Sequence, residues 1–132
     1  IANGGTLYEP RIVSQIRSYD GKVTPVPTKV IREKFVDSNI LRIVREGMRE
    51  TITEGTAQAL ADLPIEVAGK TGTAQFGNES KTHGWFVSFA PYETPELALV
   101  VLVEGQGEEG YNAVPVTKDV YSWYFGREKK EE

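Results

Sequence analysis

The chain has 132 residues, no cysteine, one histidine and a formal net charge of −4, with 39% apolar and 26% charged residues. That is one domain's length or part of a larger one, enough to bury roughly two-thirds of the unfolded surface, with the balance of a soluble globular protein. Net acidity without a basic stripe argues against nucleic acid, the missing cysteines exclude disulfides, thiolate metal sites and a cysteine nucleophile, and no apolar run reaches the ~18 residues of a membrane span.

The opening "IANGGTLYEP" begins abruptly. Ile1-Ala2 reads as the last turn of a helix and Asn3-Gly4-Gly5 as its stop, so the chain is expected to be a piece of something longer. Tyr8 to Tyr19 alternate imperfectly, and Asp20-Gly21 signals a two-residue hairpin turn of type I′. Lys22-Val23-Thr24 would return until Pro25 and Pro27 end the pairing, and a short strand is expected near Lys29–Ile31. Residues 1–36 thus read as a helix end followed by a peripheral hairpin.

Asp37 or Ser38 then caps a helix over about 38–53. Leu41, Val44, Met48 and Ile52 recur at spacings of three and four, while Arg42, Arg45, Glu46, Arg49 and Glu50 read as its wet face. Gly55 stops it, and Thr56–Leu60 adds a short turn before Pro64, completing a helical segment at 37–62.

Three strands are expected over 63–106: Ile65–Gln75, His83–Pro91 and Leu97–Glu104. The last, "LALVVLV", is apolar at every position and is expected to run centrally in the sheet with helices above and below. Trp85, Phe86 and Phe89 read as core, and His83 as a structural histidine at a strand start. The polar loop Phe76–Thr82 and the segment Tyr92–Glu96 are short enough for antiparallel hairpins. A last helix over 111–126 is capped by Asn112, with Pro115 in its first turn. Val116, Val120 and Trp123 or Tyr124 form its stripe. Trp123, Tyr124 and Phe125 are expected to pack it on the sheet. Lys129–Glu132 form a mixed-charge tail.

One stretch does not fit an ordinary strand. "VAGKTGTAQF", residues 67–76, places Lys70, Thr71, Gly72 and Thr73 together. Gly69-Lys70-Thr71 matches the end of a phosphate-binding loop, but that loop needs glycine where Pro64 stands and leads into a helix. A substrate-binding strand fits better. Lys70 faces one way and Thr71 and Thr73 the other, unless the strand bulges at Gly72, which lets a ligand approach the backbone. Two hydroxyls, an ammonium and backbone N–H donors along one strand edge suit a carboxylate and an oxyanion. Such fixed donors are worth roughly 3–4 kcal/mol each in acyl transfer.

Lys70-Thr71-Gly72 is the K-T-G triad of serine β-lactamases and penicillin-binding proteins. With "HGWFVSFAP", "LALVVLVEG" and "IANGGTLYEPRIV", it resembles the C-terminal half of the transpeptidase domain of a class B penicillin-binding protein, over Ile1 to about Phe125. The H-x-W-F-x-x-F-A-P pattern resembles the cell-elongation, rod-shape type.

The resemblance implies an α+β fold: an antiparallel β-sheet covered by helices, β-lactamase/transpeptidase-like, present only as its C-terminal part. It implies a peptidoglycan D,D-transpeptidase working through a serine acyl-enzyme. Lys70 would supply a positive field, and Thr71 and Thr73 would hold the terminal carboxylate of a D-alanyl-D-alanine stem or of a β-lactam. The Thr73 N–H would be one oxyanion donor, Gly72 would admit the ligand, and Gln75 would flank the cleft. No metal or organic cofactor is implied. The parent would act at the outer face of the bacterial cytoplasmic membrane, through an anchor outside this chain.

The resemblance has one large gap. Ser14, Ser18, Ser38, Ser80, Ser88 and Ser122 all lack lysine three residues on, and Ser38 has Ile40 where S-x-N needs asparagine. The nucleophile and its lysine would therefore come from the remainder of the domain, carrying S-x-x-K and S-x-N. The alternative is a non-catalytic relative that binds peptide or β-lactam without chemistry.

Overall fold

The computed structural model describes residues 1–77, 81–106 and 113–127. Among these are seven strands, two α-helices and one short 3₁₀ turn: β1 (Leu7–Tyr8), β2 (Gln15–Arg17), β3 (Val23–Pro25), β4 (Val30–Arg32), α1 (Ser38–Thr53), the 3₁₀ turn Gln58–Leu60, β5 (Ala68–Phe76), β6 (Lys81–Ala90), β7 (Leu97–Gln106) and α2 (Ala113–Arg127). The class is α+β. Asn112, expected to cap α2, lies outside the described residues, as do the loop centre at 78–80 and the tail at 129–132. No helix among the described residues is long and apolar enough to cross a membrane.

The chain divides into two compact units, Ile1 with Asn3–Arg42 and Ala2 with Ile43–Glu132, so that α1 begins in the first and ends in the second. The first unit is two small antiparallel ribbons, β1 with β4 and β2 with β3. Tyr8 to Tyr19 is not one strand: only 7–8 and 15–17 pair, and Ile12 and Tyr19 are fully exposed. The β2–β3 turn is not type I′ either. Gly21 has positive φ but Asp20 does not, and the Gly21 N–H donates to the Ser18 carbonyl at 2.9 Å. Ser18 Oγ holds the Asp20 carboxylate at 2.5 Å, keeping the turn in a right-handed geometry that needs glycine only at its end. That hydrogen bond also holds the Asp20 carboxyl below the usual carboxylate range. Gly5 sits at φ +90, and an added Cβ would come within 2.9 Å of Leu41 Cδ1.

Asp37, not Ser38, caps α1: its carboxylate accepts from the N–H of Asn39 at 2.9 Å and of Ile40 at 3.4 Å. At the other end Gly55 donates to the Glu50 carbonyl, and Ala57 to Thr51. Gly55 is needed there for space, because a Cβ would lie 2.8 Å from the Thr51 Cα.

The second unit is built on the sheet β5–β6–β7, antiparallel throughout. Hairpin connections lay consecutive strands side by side, so β6 takes the centre and β7 an edge of the described sheet. Within the described residues β7 thus pairs on one side only, with β6, where its apolar sequence suggested a central strand. Its Leu97, Leu99, Val101 and Val103 pack on the main core, while Val100 and Leu102 are exposed on the other face. Trp85, expected in the core, opens onto that same face, whereas Phe86 and Phe89 are buried.

The core side of the sheet carries Phe86 and Ala90, joined by Val67, Ile52, Ala57, Leu60 and the inner face of α2. That inner face is Ala113, Val114, Thr117, Tyr121 and Phe125, one position round from the stripe expected; Val116 and Trp123 are exposed. Two buried polar groups on this face are satisfied, one within the helix and one across to β6. Thr117 Oγ1 donates to the Ala113 carbonyl at 2.9 Å, and Tyr121 Oη pairs with Ser88 Oγ at 2.9 Å. A tyrosine buried here has a hydroxyl that needs a partner, and Ser88 supplies it. Burial pushes the Tyr121 phenol above its ordinary range, and the Ser88 hydrogen bond opposes this.

Tyr121→Phe in the intact protein leaves Ser88 buried without this partner and should cost about 1–3 kcal/mol. Adding Ser88→Ala should recover part of that, because no polar group is then orphaned. Thermal unfolding of the two single variants and the double variant reads the result; strictly additive losses would mean that the pair is not coupled.

Candidate active-site strand

β5 runs from the buried Ala68 to Phe76, paired with β6 in an unbroken register from Ala68↔Phe89 to Phe76↔Lys81. No bulge occurs at Gly69 or Gly72, so the alternation of side chains continues through the whole stretch. Lys70 lies opposite Val87 and Gly72 opposite Trp85, on one face; Thr71 lies opposite Phe86 and Thr73 opposite Gly84, on the other.

The two glycines act differently. A Cβ on Gly69 would sit 2.4 Å from Cζ of Phe86, the ring that fills the core under this strand. On Gly72 it would meet only the Trp85 Cβ, at 3.4 Å. Gly69 is therefore a packing glycine, and Gly72 an open one.

Lys70 is exposed, and its ammonium donates to the carbonyl of Thr71 at 2.5 Å. Thr71 is half-buried, with Oγ1 2.8 Å from Oγ1 of Thr56. Thr73 and Gln75 are exposed further along. The strand thus gathers all five expected site residues, Lys70, Thr71, Gly72, Thr73 and Gln75, on one edge strand. No group of three or more histidine, cysteine or carboxylate side chains among the described residues could hold a metal.

Two features around this strand carry no signal in the sequence. Arg45 and Arg49, expected on a wet face of α1, are half-buried anchors. Arg45 donates to the Ala2 carbonyl at 3.0 Å and to that of Tyr92, its guanidinium 4.9 Å from the Phe89 ring centroid and 5.3 Å from that of Tyr92. Arg49 donates to the Val67 carbonyl at 3.1 Å and to Glu66 at 3.3 Å, just where the chain enters β5. Thr56 was also missed. It lies 15 residues before its partner, and no periodicity or spacing rule pairs a residue after a helix stop with one on a later strand. His83 accepts from the Gly105 N–H at 3.4 Å, a link from β6 to β7.

The penicillin binding protein transpeptidase domain family matches residues 1–122. Among individual relatives, penicillin-binding protein 2A of Bacillus subtilis is 34% identical over 119 residues, covering 78% of this chain and 17% of that protein. The peptidoglycan D,D-transpeptidase MrdA of Haemophilus influenzae is 32% identical over 100 residues, covering 63% of this chain and 15% of its own length. In structure, penicillin-binding protein A of M. tuberculosis, solved as an imipenem acyl-enzyme complex, superposes with a TM-score of 0.79 at 28% identity, over 92% of this chain and 27% of that one. The chain therefore spans about a sixth of the length of those two curated relatives.

Gly69→Ala should lower the thermal unfolding midpoint of the intact protein by the equivalent of about 1–3 kcal/mol, the usual cost of overpacking. Gly72→Ala should cost under about 1 kcal/mol, since neither backbone angle nor space forbids a methyl. Equal losses at the two positions would contradict the distinction between them.

Proposed function

The chain belongs to the penicillin-binding protein transpeptidase domain family, with class B elongation-type proteins among its relatives, and from that membership we propose that β5 is the binding and polarising half of a D,D-transpeptidase site whose nucleophile lies elsewhere in the parent protein. The observation that carries this reading is the presentation of Lys70, Thr71 and Thr73 on an edge strand of unbroken register. The two hydroxyls share a face, and the ammonium reaches the same backbone from the opposite one.

In an antiparallel ladder each residue turns its N–H and C=O the same way, alternately toward and away from its partner. A Thr71 carbonyl open to the Lys70 ammonium belongs to the outward set, and alternation puts the Thr73 N–H in that set too. The Thr73 amide is then one oxyanion donor; the second is an N–H outside this chain. The hydroxyls of Thr71 and Thr73 receive the terminal carboxylate of a D-alanyl-D-alanine stem, or the carboxylate of a β-lactam. Lys70 holds positive potential where negative charge develops, which is worth most once water is excluded. Gln75 borders the same groove.

The chemistry is acyl transfer. A serine from the remainder of the domain attacks the penultimate D-alanine carbonyl, the tetrahedral oxyanion collapses, and the terminal D-alanine leaves as a protonated amine. The acyl group then passes to the amine of a second stem peptide, regenerating the serine. None of this chain's serines carries the S-x-x-K pattern, so the chain alone forms no acyl-enzyme. The parent works outside the cytoplasm, on peptidoglycan, held by an anchor beyond these residues.

A fluorescent penicillin should leave this chain unlabelled and label it only in the full-length protein, on the serine that the rest of the domain supplies. Lys70→Ala in the full-length protein should slow labelling by roughly 10²–10³-fold, the scale of one lost electrostatic contact at an acyl-transfer site. Labelling of this chain alone, or an unaltered rate in the variant, would overturn the reading.

A further inference from the structure

We propose that Thr56 is a positioning residue for this site: its hydroxyl donates to Thr71 Oγ1 and so commits the Thr71 proton to the substrate carboxylate. The proposal rests on the carboxylate-binding role argued above for Thr71. The geometry is a single contact, Thr56 Oγ1 to Thr71 Oγ1 at 2.8 Å, between a residue just past the end of α1 and one on β5.

A hydroxyl has one proton and two lone pairs. Within an isolated pair either oxygen can be the donor, and the two arrangements are nearly equivalent. An anion breaks that symmetry. A carboxylate accepts only, so when Thr71 donates to it, the Thr71 proton is spent and the bond to Thr56 must run from Thr56 to Thr71. Thr71 Oγ1 then accepts one hydrogen bond while donating another, and each bond polarises its neighbour. The arrangement also selects a rotamer. Threonine at χ1 can exchange its methyl and hydroxyl positions, and a partner for Oγ1 fixes which of the two faces the groove.

Thr56 is itself held. Gly55 donates to Glu50, Ala57 donates to the Thr51 carbonyl, and the buried Ala57 and Leu60 tie the following turn into the core. The hydroxyl therefore projects from a fixed piece of backbone rather than from a free loop. Thr56 itself is exposed, and water can satisfy both hydroxyls when they part, so the pair adds little to folding stability. Its consequence is orientation.

The test uses the full-length protein, with wild type, Thr56→Val, Thr56→Ser, Thr71→Val and the Thr56→Val/Thr71→Val double variant. Fast-mixing acylation by a carboxylate-bearing penicillin, and by its methyl ester, separates the pre-acylation dissociation constant from the acylation step. Thr56→Val should raise the dissociation constant for the acid about two- to tenfold, the range of one ordinary hydrogen bond, with the acylation step unchanged. Thr56→Ser should restore it. The ester should be indifferent to Thr56, and the double variant should be no worse than Thr71→Val. If Thr71→Val weakens the acid but Thr56→Val does not, this proposal fails and the carboxylate site stands. If Thr71→Val is also without effect, the carboxylate role fails and takes this proposal with it. A Thr56→Val loss that is equal for acid and ester, or that adds to Thr71→Val, would mark an ordinary structural effect and overturn the positioning role.

Discussion

The arrangement of β5 depends on an atom that is absent by sequence. Where Gly69 would carry a Cβ, the ring of Phe86 comes to within 2.4 Å of that position. Phe86 is fully buried, among the largest side chains of the core, and it stands directly across the ladder from Thr71. With a side chain at 69, either the ring or the strand would have to move. Because neither does, β5 stays in register along all nine residues, and the alternation that separates Lys70 from Thr71 and Thr73 is preserved. A slip of one position would exchange the ammonium and the hydroxyls between faces.

The entry to that strand and the exit from β6 are held by side chains that composition would put in water. Arg45 satisfies two backbone carbonyls and stacks on two rings, and Arg49 takes the Val67 carbonyl immediately before β5 begins. Arginine suits this use because its planar donors match carbonyls at fixed angles while its stem and face lie against apolar and aromatic surface. Met48, Ala68 and Phe89 form a small cluster beside Arg45. The same helix thus carries Arg49, which holds the chain just before β5, Arg45, which holds the segment after β6, and, just past its end, the hydroxyl that meets Thr71.

Much of the architecture was legible because local physics dominates there. Leu41, Met48 and Ile52 of the expected α1 stripe are buried, although Val44 is exposed; they, the acidic cap and the glycine stop follow from local spacing, and a meander follows from three apolar runs with short connections. What could not be read was decided across the sheet. The partner of the buried Tyr121 hydroxyl on α2 is Ser88, 33 residues away. That β7 lies beside β6 and not beside β5 among the described residues depends on strand order, which its composition does not encode. The Asp20-Gly21 turn was misjudged because Ser18 offers its carboxylate a local partner that the dipeptide signal does not include. At the site, the residues of "KTGT" were visible as residue types, but their separation onto two faces without a bulge and the contact to Thr56 are properties of pairing.

Lys70 and Thr71 leave the backbone on opposite faces, yet Lys70 curls back until its ammonium sits on the carbonyl of Thr71. A four-carbon stem allows this, and an edge strand offers the open carbonyl. The contact keeps the charge at the strand's rim, beside the hydroxyl, instead of out in solvent on the far face. A neutral carbonyl is a weaker partner for an ammonium than an anion or a developing alkoxide. The resting bond is therefore one that a reacting group can replace with a net gain. A cation held this loosely at the rim of β5 is what the role proposed for the strand requires: near the Thr71 backbone at rest, and free to turn toward an anion.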